Sequence, residues 1–303
     1  MVLALSPPLK KIIRDVGQVG QYLWQKGWAE KNAGNLSVDV TDLISLSPKK
    51  LKSFPFQKNE SIHADWAGRS YLVTGTGVRY RDLLENPAEN LVLLQIGGKG
   101  LGYYQLWGGK RTGFKPTSEL PSHLQMQDFL LRNKMPEKVV LHTHPNELIA
   151  LTHLKKTNNE EALNYALWSM IPEAKIYVPR GIGLVPYRLT ASESLAEETV
   201  KALGRKHKVV MWEKHGALAV GKDPFEAFDL IDAMNKAAIL YLLCKQAGED
   251  PQGLTREQID EIGRTFPPQG IAGEIRGFAG TKRGPSLRAA RKGSKVKSEG
   301  QSV

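Results

Sequence analysis

The spacing of apolar and polar positions predicts helices along most of the chain. Over residues 9–28 the apolar side chains recur every three or four positions, which is the pattern of an amphipathic helix. Similar spacing, with prolines or capping residues at the starts, predicts further helices over residues 116–133, 160–170, 192–207 and 223–246, after Pro145, and from Thr255 onward.

Short runs of β-branched and leucine residues between these segments predict strands. They cover residues 36–40, 71–74, 91–96, 102–107, 138–142, 175–178, 182–187, 209–212 and 217–220. Residues 41–69, rich in lysine, proline and serine, are expected to form an irregular surface excursion. Because helices and strands intermix without a repeat or a clear linker, the sequence predicts a single α/β domain.

The formal charge of +11 is unevenly distributed. Residues 281–303 carry seven basic side chains against Glu299 alone. This segment has two large apolar residues, Leu287 and Val296, so it cannot bury enough surface to fold by itself. We therefore predict a folded domain over residues 1–280 and a disordered basic tail over residues 281–303. A solvated appendage is favoured for this tail over a nucleic-acid-binding arm.

The compartment is inferred from three weak signals. Cys244 is the one cysteine, so no internal disulfide can form. The apolar runs fall far short of the roughly 20 residues that span a membrane. The apolar start is interrupted by Pro7 and Pro8, and no small-residue cleavage site follows, so a signal peptide is not expected. A cytoplasmic protein without a membrane segment is the resulting expectation.

His142 and His144 are the most informative pair of residues. They lie at the end of a predicted strand, where side chains two apart leave on the same face about 6.5–7 Å from each other. Two imidazoles at this spacing can tilt onto one ion at about 2.0–2.1 Å. An isolated pair of this kind is also compatible with two ordinary, partly buried histidines.

His215 is the natural third ligand, since it too ends a β run beside a glycine, Gly216. The four other histidines are expected to be surface or core residues; these are His63, His123, His153 and His207.

Two turns rich in glycine and asparagine, at residues 27–35 and 75–77, can present backbone N–H groups to an anion, although most such turns only reverse the chain. Glu119 lies at the predicted start of a helix, for which Thr117 or Ser118 is the expected N-cap. Its carboxylate could interact favourably with the positive end of the helix dipole, or it could act as a catalytic base near the histidine pair. Both interpretations stay open.

Taken as a set, these motifs resemble the class II aldolase/adducin superfamily, and in particular its branch that cleaves L-rhamnulose 1-phosphate. The resemblance spans about residues 10–265. It rests on Gly27-Trp28 with Glu30, Asn32 and Gly34-Asn35-Leu36; on Val73-Thr74-Gly75 with Gly77; on Pro116-Thr117-Ser118-Glu119-Leu120-Pro121; on His142, His144 and Asn146; and on Trp212 with His215-Gly216.

The resemblance implies a single domain with a central, mainly antiparallel β-sheet flanked by helices. It also implies zinc-dependent retro-aldol cleavage of L-rhamnulose 1-phosphate to dihydroxyacetone phosphate and L-lactaldehyde, in rhamnose degradation. Cleavage of the C3–C4 bond leaves an enediolate, whose charge a divalent cation can stabilise. His142, His144 and His215 would bind one Zn²⁺ per subunit, and Glu119 would move the proton at the dihydroxyacetone phosphate carbon.

Further roles carry over residue by residue. The phosphate and ketose end would be lined by Asn32, Gly34, Asn35, Thr76, Gly77, Thr117 and Ser118. Glu173 would be a second catalytic carboxylate, reaching in from a neighbouring subunit of a homotetramer. The chain departs from the family at Thr76, which replaces a serine, and at Thr143, where the best-known members have cysteine. The stretch around Glu173 matches poorly.

Several alternatives remain at this point. L-fuculose-phosphate aldolase or L-ribulose-5-phosphate 4-epimerase would use the same three histidines. A cupin-like metal site is disfavoured, since Glu147 follows His144 by three residues and lies in a predicted helix. An adducin-head scaffold would lack the metal site, whereas all three histidines and Glu119 are present here. A nucleic-acid binder would depend on the tail alone.

Overall fold

The fold is described from a computed structural model, which covers residues 2–60, 62–98 and 101–267. The tail predicted over residues 281–303 lies outside these residues, and the domain limit at residue 280 stays a prediction. The helices are α1 Pro7–Gln25, α2 Pro48–Leu51, α3 Pro87–Asn90, α4 Leu120–Arg132, α5 Asn146–Leu151, α6 Glu160–Met170, α7 Pro172–Tyr177, α8 Glu193–Gly204, α9 Pro224–Gln246 and α10 Arg256–Thr265.

A central sheet organises the described part of the chain. Its nine strands are β1 Asn35–Asp39, β2 Phe56–Lys58, β3 Ser70–Thr74, β4 Leu91–Ile96, β5 Gly102–Gly108, β6 Val139–Thr143, β7 Ile182–Val185, β8 Val209–Trp212 and β9 Gly216–Gly221. They lie in the order β2-β5-β4-β3-β1-β6-β9-β8-β7. Among these strands the β7–β8 pair is parallel and the others are antiparallel. The predicted α/β fold with a mainly antiparallel sheet is confirmed.

Helices cover both faces of this sheet because its strands are apolar on both sides. On one face α1, α6 and α9 bury Leu36, Leu141 and Ala219 in the largest core cluster. On the other face α4 and α8 pack on Val140, Val210 and other residues of β6, β8 and β9. β6 lies in the middle of the sheet, paired with β1 and β9. Its carboxyl end therefore lies between the beginnings of β1 and β9.

The strand predicted over residues 175–178 is wrong, because residues 175–177 belong to helix α7 and Val178 is its C-cap. Pro172 occupies the first turn of the helix, where its missing N–H costs nothing, and Ala174 packs into the core. Contacts with α6, α9 and α10 override the β propensity of Ile176 and Tyr177.

The start of α4 also differs from the prediction. The helix begins at Leu120 with Glu119 as its N-cap, rather than with Thr117 or Ser118. Thr117 is held in the sheet instead, since its N–H donates to the carbonyl of Thr74. Residues 41–69 contain the edge strand β2 and bury Phe54, Ile62 and Trp66, so they are more than a surface excursion. Within the residues that the structure describes, no helix is long and apolar enough to cross a bilayer.

The burial of His123, on α4, leads us to expect that the stability of the protein depends on pH. His123 is buried against β1, and this burial lowers its pKa to about 3, whereas an unfolded histidine titrates near 6.5. Its contribution to stability is therefore present in full above pH 6.5 and is lost as the pH falls towards 3. Between pH 7.5 and pH 5 the wild type should lose about 2 kcal/mol more unfolding free energy than His123→Gln. Urea titrations of both proteins in EDTA measure this difference, and parallel pH profiles would contradict it.

Candidate metal centre and active site

Three histidines meet at the carboxyl end of β6. His142 is on the strand, His144 lies just beyond it, and His215 occupies the turn that joins β8 to β9. Because β9 pairs antiparallel with β6, this turn lies beside the end of β6. The ring centroids are 5.0–5.3 Å apart, and one nitrogen from each ring lies within 4.8 Å of the other two. Among the described residues this is the one cluster of three such side chains that could hold an ion.

Gly216 permits this close approach of the rings. A Cβ at this position would lie 2.7 Å from the Thr143 carbonyl oxygen and 2.8 Å from ring carbons of both His142 and His144. Such distances are well below van der Waals contact, so any side chain would displace two of the three histidines. The preceding turn places Lys214 in the left-handed region at φ 60°, where its N–H donates to Thr152 Oγ1.

The orientation of His142 is fixed by its neighbours. Its Nδ1 donates to the carbonyl of Ala217 at 2.9 Å, which leaves Nε2 free to bind a metal. The indole of Trp212 packs against the ring, with centroids 4.4 Å apart. Burial, followed by the proximity of the other two histidines, holds the pKa of His142 well below its ordinary value. The ring is therefore neutral and protons compete little for its free nitrogen.

His144 is oriented by Glu30, whose Oε1 lies 2.8 Å from the histidine's Nδ1. The segment carrying Glu30 is pinned to β6, since the carbonyl of Trp28 accepts hydrogen bonds from Thr143 Oγ1 and His144 N. A carboxylate behind a ligating histidine fixes the tautomer and strengthens the ligand. Sequence reasoning gave Glu30 no role of its own, because no local spacing relates it to a strand more than a hundred residues away.

His215 completes a donor set that fits a metal. Its Nδ1 is buried and has no hydrogen-bond partner among the described residues, whereas buried polar atoms are usually hydrogen-bonded. Burial lowers the pKa of His215 to about 4, so this ring is also neutral. Three imidazoles with positions left for substrate are typical ligands of catalytic zinc. The three residues predicted as ligands are thus brought together.

Glu119 lies on the same side of the sheet as this cluster. Its Oε2 accepts a 2.8 Å hydrogen bond from Asn35 Nδ2, and the Cα of Asn35 pairs with that of His142 across β1 and β6. Burial raises the pKa of Glu119, while the Asn35 hydrogen bond and the nearby His144 oppose the rise. A raised pKa favours the protonated form of a carboxyl, which is the form that donates a proton. Glu119 is thus both the N-cap residue of α4 and a neighbour of His144, and its role as a catalytic base stays a prediction.

The second glycine-rich turn is joined to the segment before α4. Thr76 donates through its N–H to the carbonyl of Lys115 and through its hydroxyl, at 2.6 Å, to that of Pro116. Arg111, which the sequence did not single out, donates to the carbonyl of Thr76 at 3.0 Å. Thr76, Gly77 and Ser118 are exposed at this junction, whereas Thr117 is buried. These four predicted substrate-binding residues therefore lie together.

The first glycine-rich turn leads into β1 beside the triad. Gly34 has φ 81°, and a Cβ there would lie 2.6 Å from the carbonyl oxygen of His142 and 2.5 Å from the ring of Tyr80. Only glycine allows this approach. The Tyr80 hydroxyl donates to the same carbonyl at 3.3 Å. Asn32, two residues before Gly34, is exposed. Asn35, the residue after Gly34, is buried and donates to Glu119.

Glu173 is not part of this cluster. It lies exposed in the first turn of α7, which packs on α6, α9 and α10 rather than on β6. Its predicted catalytic role is not tested by a single chain.

Comparisons with known proteins agree with this geometry. Residues 14–242 match the family described as Class II Aldolase and Adducin N-terminal domain. Rhamnulose-1-phosphate aldolase of Bacteroides thetaiotaomicron is 40% identical over 266 residues, which cover 88% of this chain and 97% of that protein. The enzyme of the same name from Listeria welshimeri is 32% identical over 254 residues, covering 82% and 88%.

Solved structures show the same fold. A sugar-phosphate aldolase from Thermotoga maritima aligns with a TM-score of 0.67 and 31% identity, covering 81% of this chain and all of that one. An L-fuculose 1-phosphate aldolase aligns with a TM-score of 0.55 at 18% identity, covering 86% of this chain and 97% of that one, a likeness of fold alone. The chain therefore belongs to the class II aldolase family and is an enzyme of the lyase class, an aldolase.

Proposed function

We propose that this aldolase cleaves L-rhamnulose 1-phosphate, reversibly, to dihydroxyacetone phosphate and L-lactaldehyde, and that it requires Zn²⁺. The observation that carries the proposal is the convergence of His142, His144 and His215 beside Glu119. This site lies in a chain whose 40% identity to a rhamnulose-1-phosphate aldolase extends over 97% of that relative. The substrate assignment depends on the relatives, and the reaction type on the site.

The three histidines would hold one Zn²⁺ per chain. When bound, the ion supplies Lewis-acid stabilisation of the negative charge that develops on the substrate oxygens. His142 and His144 are presented in fixed orientations by the carbonyl of Ala217 and the carboxylate of Glu30. Preorganised ligands of this kind reduce the reorganisation that metal binding would otherwise require.

Glu119 moves the proton in this mechanism. In the cleavage direction its carboxyl delivers a proton to the carbon that becomes C3 of dihydroxyacetone phosphate, and in the condensation direction it removes that proton. Partial burial raises the pKa of this carboxyl, which favours its proton-carrying form, and Asn35 Nδ2 holds one of its oxygens in place.

The phosphate and ketose end of the substrate would lie over the two glycine-rich turns and the start of α4. The residues proposed to line it are Asn32, Gly34, Asn35, Thr76, Gly77, Thr117 and Ser118. Backbone N–H groups, amides and hydroxyls from this set are neutral donors, and the N-terminal end of α4 adds a partial positive charge. Such a site can bind a phosphate dianion without a cluster of lysines.

A homotetramer would give Glu173 a role. Glu173 and Tyr177 are exposed on α7, the latter to 47%. We propose that α7 lies at a subunit interface and that Glu173 enters the site of a neighbouring subunit.

The test is cleavage of L-rhamnulose 1-phosphate by purified protein, beside L-fuculose 1-phosphate, with and without EDTA. We expect preference for the rhamnulose ester, loss of activity in EDTA and recovery with Zn²⁺. Glu119→Gln should lower kcat by at least about 100-fold while zinc remains bound, because the proton donor is lost. Preference for L-fuculose 1-phosphate would overturn the proposed substrate assignment. Cleavage of neither ester by the zinc-loaded protein would favour an epimerase.

Gly216→Ala tests whether the close approach of the rings is needed for metal binding. The added methyl would push His142 and His144 apart, so we expect activity to disappear together with the rise in Tm that zinc gives the wild type. Gly183→Ala is the matched control. Gly183 lies on β7, and a Cβ there would also meet buried neighbours, at 3.0 Å, but none of the three histidines. This control should lose stability and keep its response to zinc. An equal response to zinc in both variants would contradict the proposed role of Gly216.

A further inference from the structure

A chain of buried polar side chains runs from Glu119 into the layer between α4 and β1. Asn35 Oδ1 lies 2.5 Å from His123 Nε2, and His123 Nδ1 lies 2.8 Å from Ser37 Oγ. Gln127 Nε2 donates to Ser37 Oγ at 3.1 Å. His123, Gln127 and Ser37 are each at most 2% exposed, so water cannot substitute for a missing partner.

The direction of every hydrogen bond in this chain follows from its far end. The carbonyl of Lys138 can only accept, so the Gln127 atom 3.1 Å from it must be the nitrogen. The same nitrogen donates to Ser37 Oγ. Ser37 is buried, and among the described residues the acceptor within reach of its hydroxyl hydrogen is His123 Nδ1, so the hydroxyl donates there. A neutral imidazole that accepts at Nδ1 carries its hydrogen on Nε2.

The tautomer of His123 in turn fixes the amide of Asn35. Because His123 Nε2 donates, the Asn35 atom facing it must be the oxygen, and the amide nitrogen must face Glu119. In the opposite orientation the amide oxygen would face the carboxylate, and two acceptors in contact repel each other.

We propose that His123 is a positioning residue of the aldolase reaction, which fixes the Asn35 amide so that its nitrogen holds the Glu119 carboxylate beside the three histidines. This inference rests on the proposed role of Glu119 as the base. His123 itself touches neither substrate nor metal and acts through Asn35. A displacement of about 1 Å in a reacting group can cost about a hundredfold in rate, so a misdirected amide should be visible in kcat.

The test compares His123→Leu, which removes both ring nitrogens, with His123→Gln, whose Nε2 can still donate to Asn35. We expect kcat to fall about 30-fold in His123→Leu, with KM and zinc content within about twofold of the wild type, and to recover most of the loss in His123→Gln. Exchange of the dihydroxyacetone phosphate proton with deuterated solvent, without aldehyde, should fall by the same factor because Glu119 is the group proposed to move that proton.

His207→Leu is the matched control. His207 is also a buried histidine, whose Nδ1 donates to the carbonyl of Gly181, but it packs beside β7 away from the triad. This variant should lower Tm and leave kcat and proton exchange unchanged. An equal fall of kcat in both leucine variants, or an unchanged kcat in His123→Leu, would overturn the positioning role.

Ser37→Ala carries the test if His123→Leu does not fold. Removing the hydroxyl frees the imidazole to adopt either tautomer, so kcat should fall about fivefold with a small change in Tm. A wild-type rate in Ser37→Ala would then overturn the inference. Absence of cleavage by the wild type, in contrast, would count against the proposed function and not against His123 specifically.

Discussion

The pairing of β6 with β1 on one side and β9 on the other is the constraint on which the site depends. It sets Asn35 and Leu218 opposite His142 and brings the β8–β9 turn, with His215, to the end of β6. Register in a sheet with buried faces is strongly specified, because a shift by one residue would exchange the two faces. Gly216 then allows the rings to approach. The site is therefore a consequence of sheet register rather than of a flexible loop.

Burial has opposite effects on the two kinds of titratable group that meet there. It lowers the pKa of His142 and His215, which keeps their nitrogens available to a cation, and it raises the pKa of Glu119. A carboxyl whose pKa is raised, next to imidazoles that stay neutral, suits metal-assisted proton transfer at carbon.

Much of this arrangement could be predicted from local sequence. Local patterns gave α6, β4 and β8 with their bounds. Alternation at the end of a predicted strand indicated His142 and His144, and a strand end beside Gly216 indicated His215. The strand expected over residues 175–178 failed because packing of α7 outweighed β propensity. Glu30 and His123 could not be given roles, since their partners are separated from them by more than 80 residues and only tertiary structure joins them. A role for Glu173 in the site of a neighbouring subunit stays a prediction.

Elemental analysis of purified protein is the direct test of whether these three histidines form a metal site. The wild type and His153→Ala, a variant of an exposed histidine, should each contain about one zinc per chain, whereas His142→Ala should contain almost none after dialysis. Loss of zinc together with aldolase activity in His142→Ala alone is the predicted result. Equal zinc in all three proteins would contradict the account, because the metal would then be bound elsewhere.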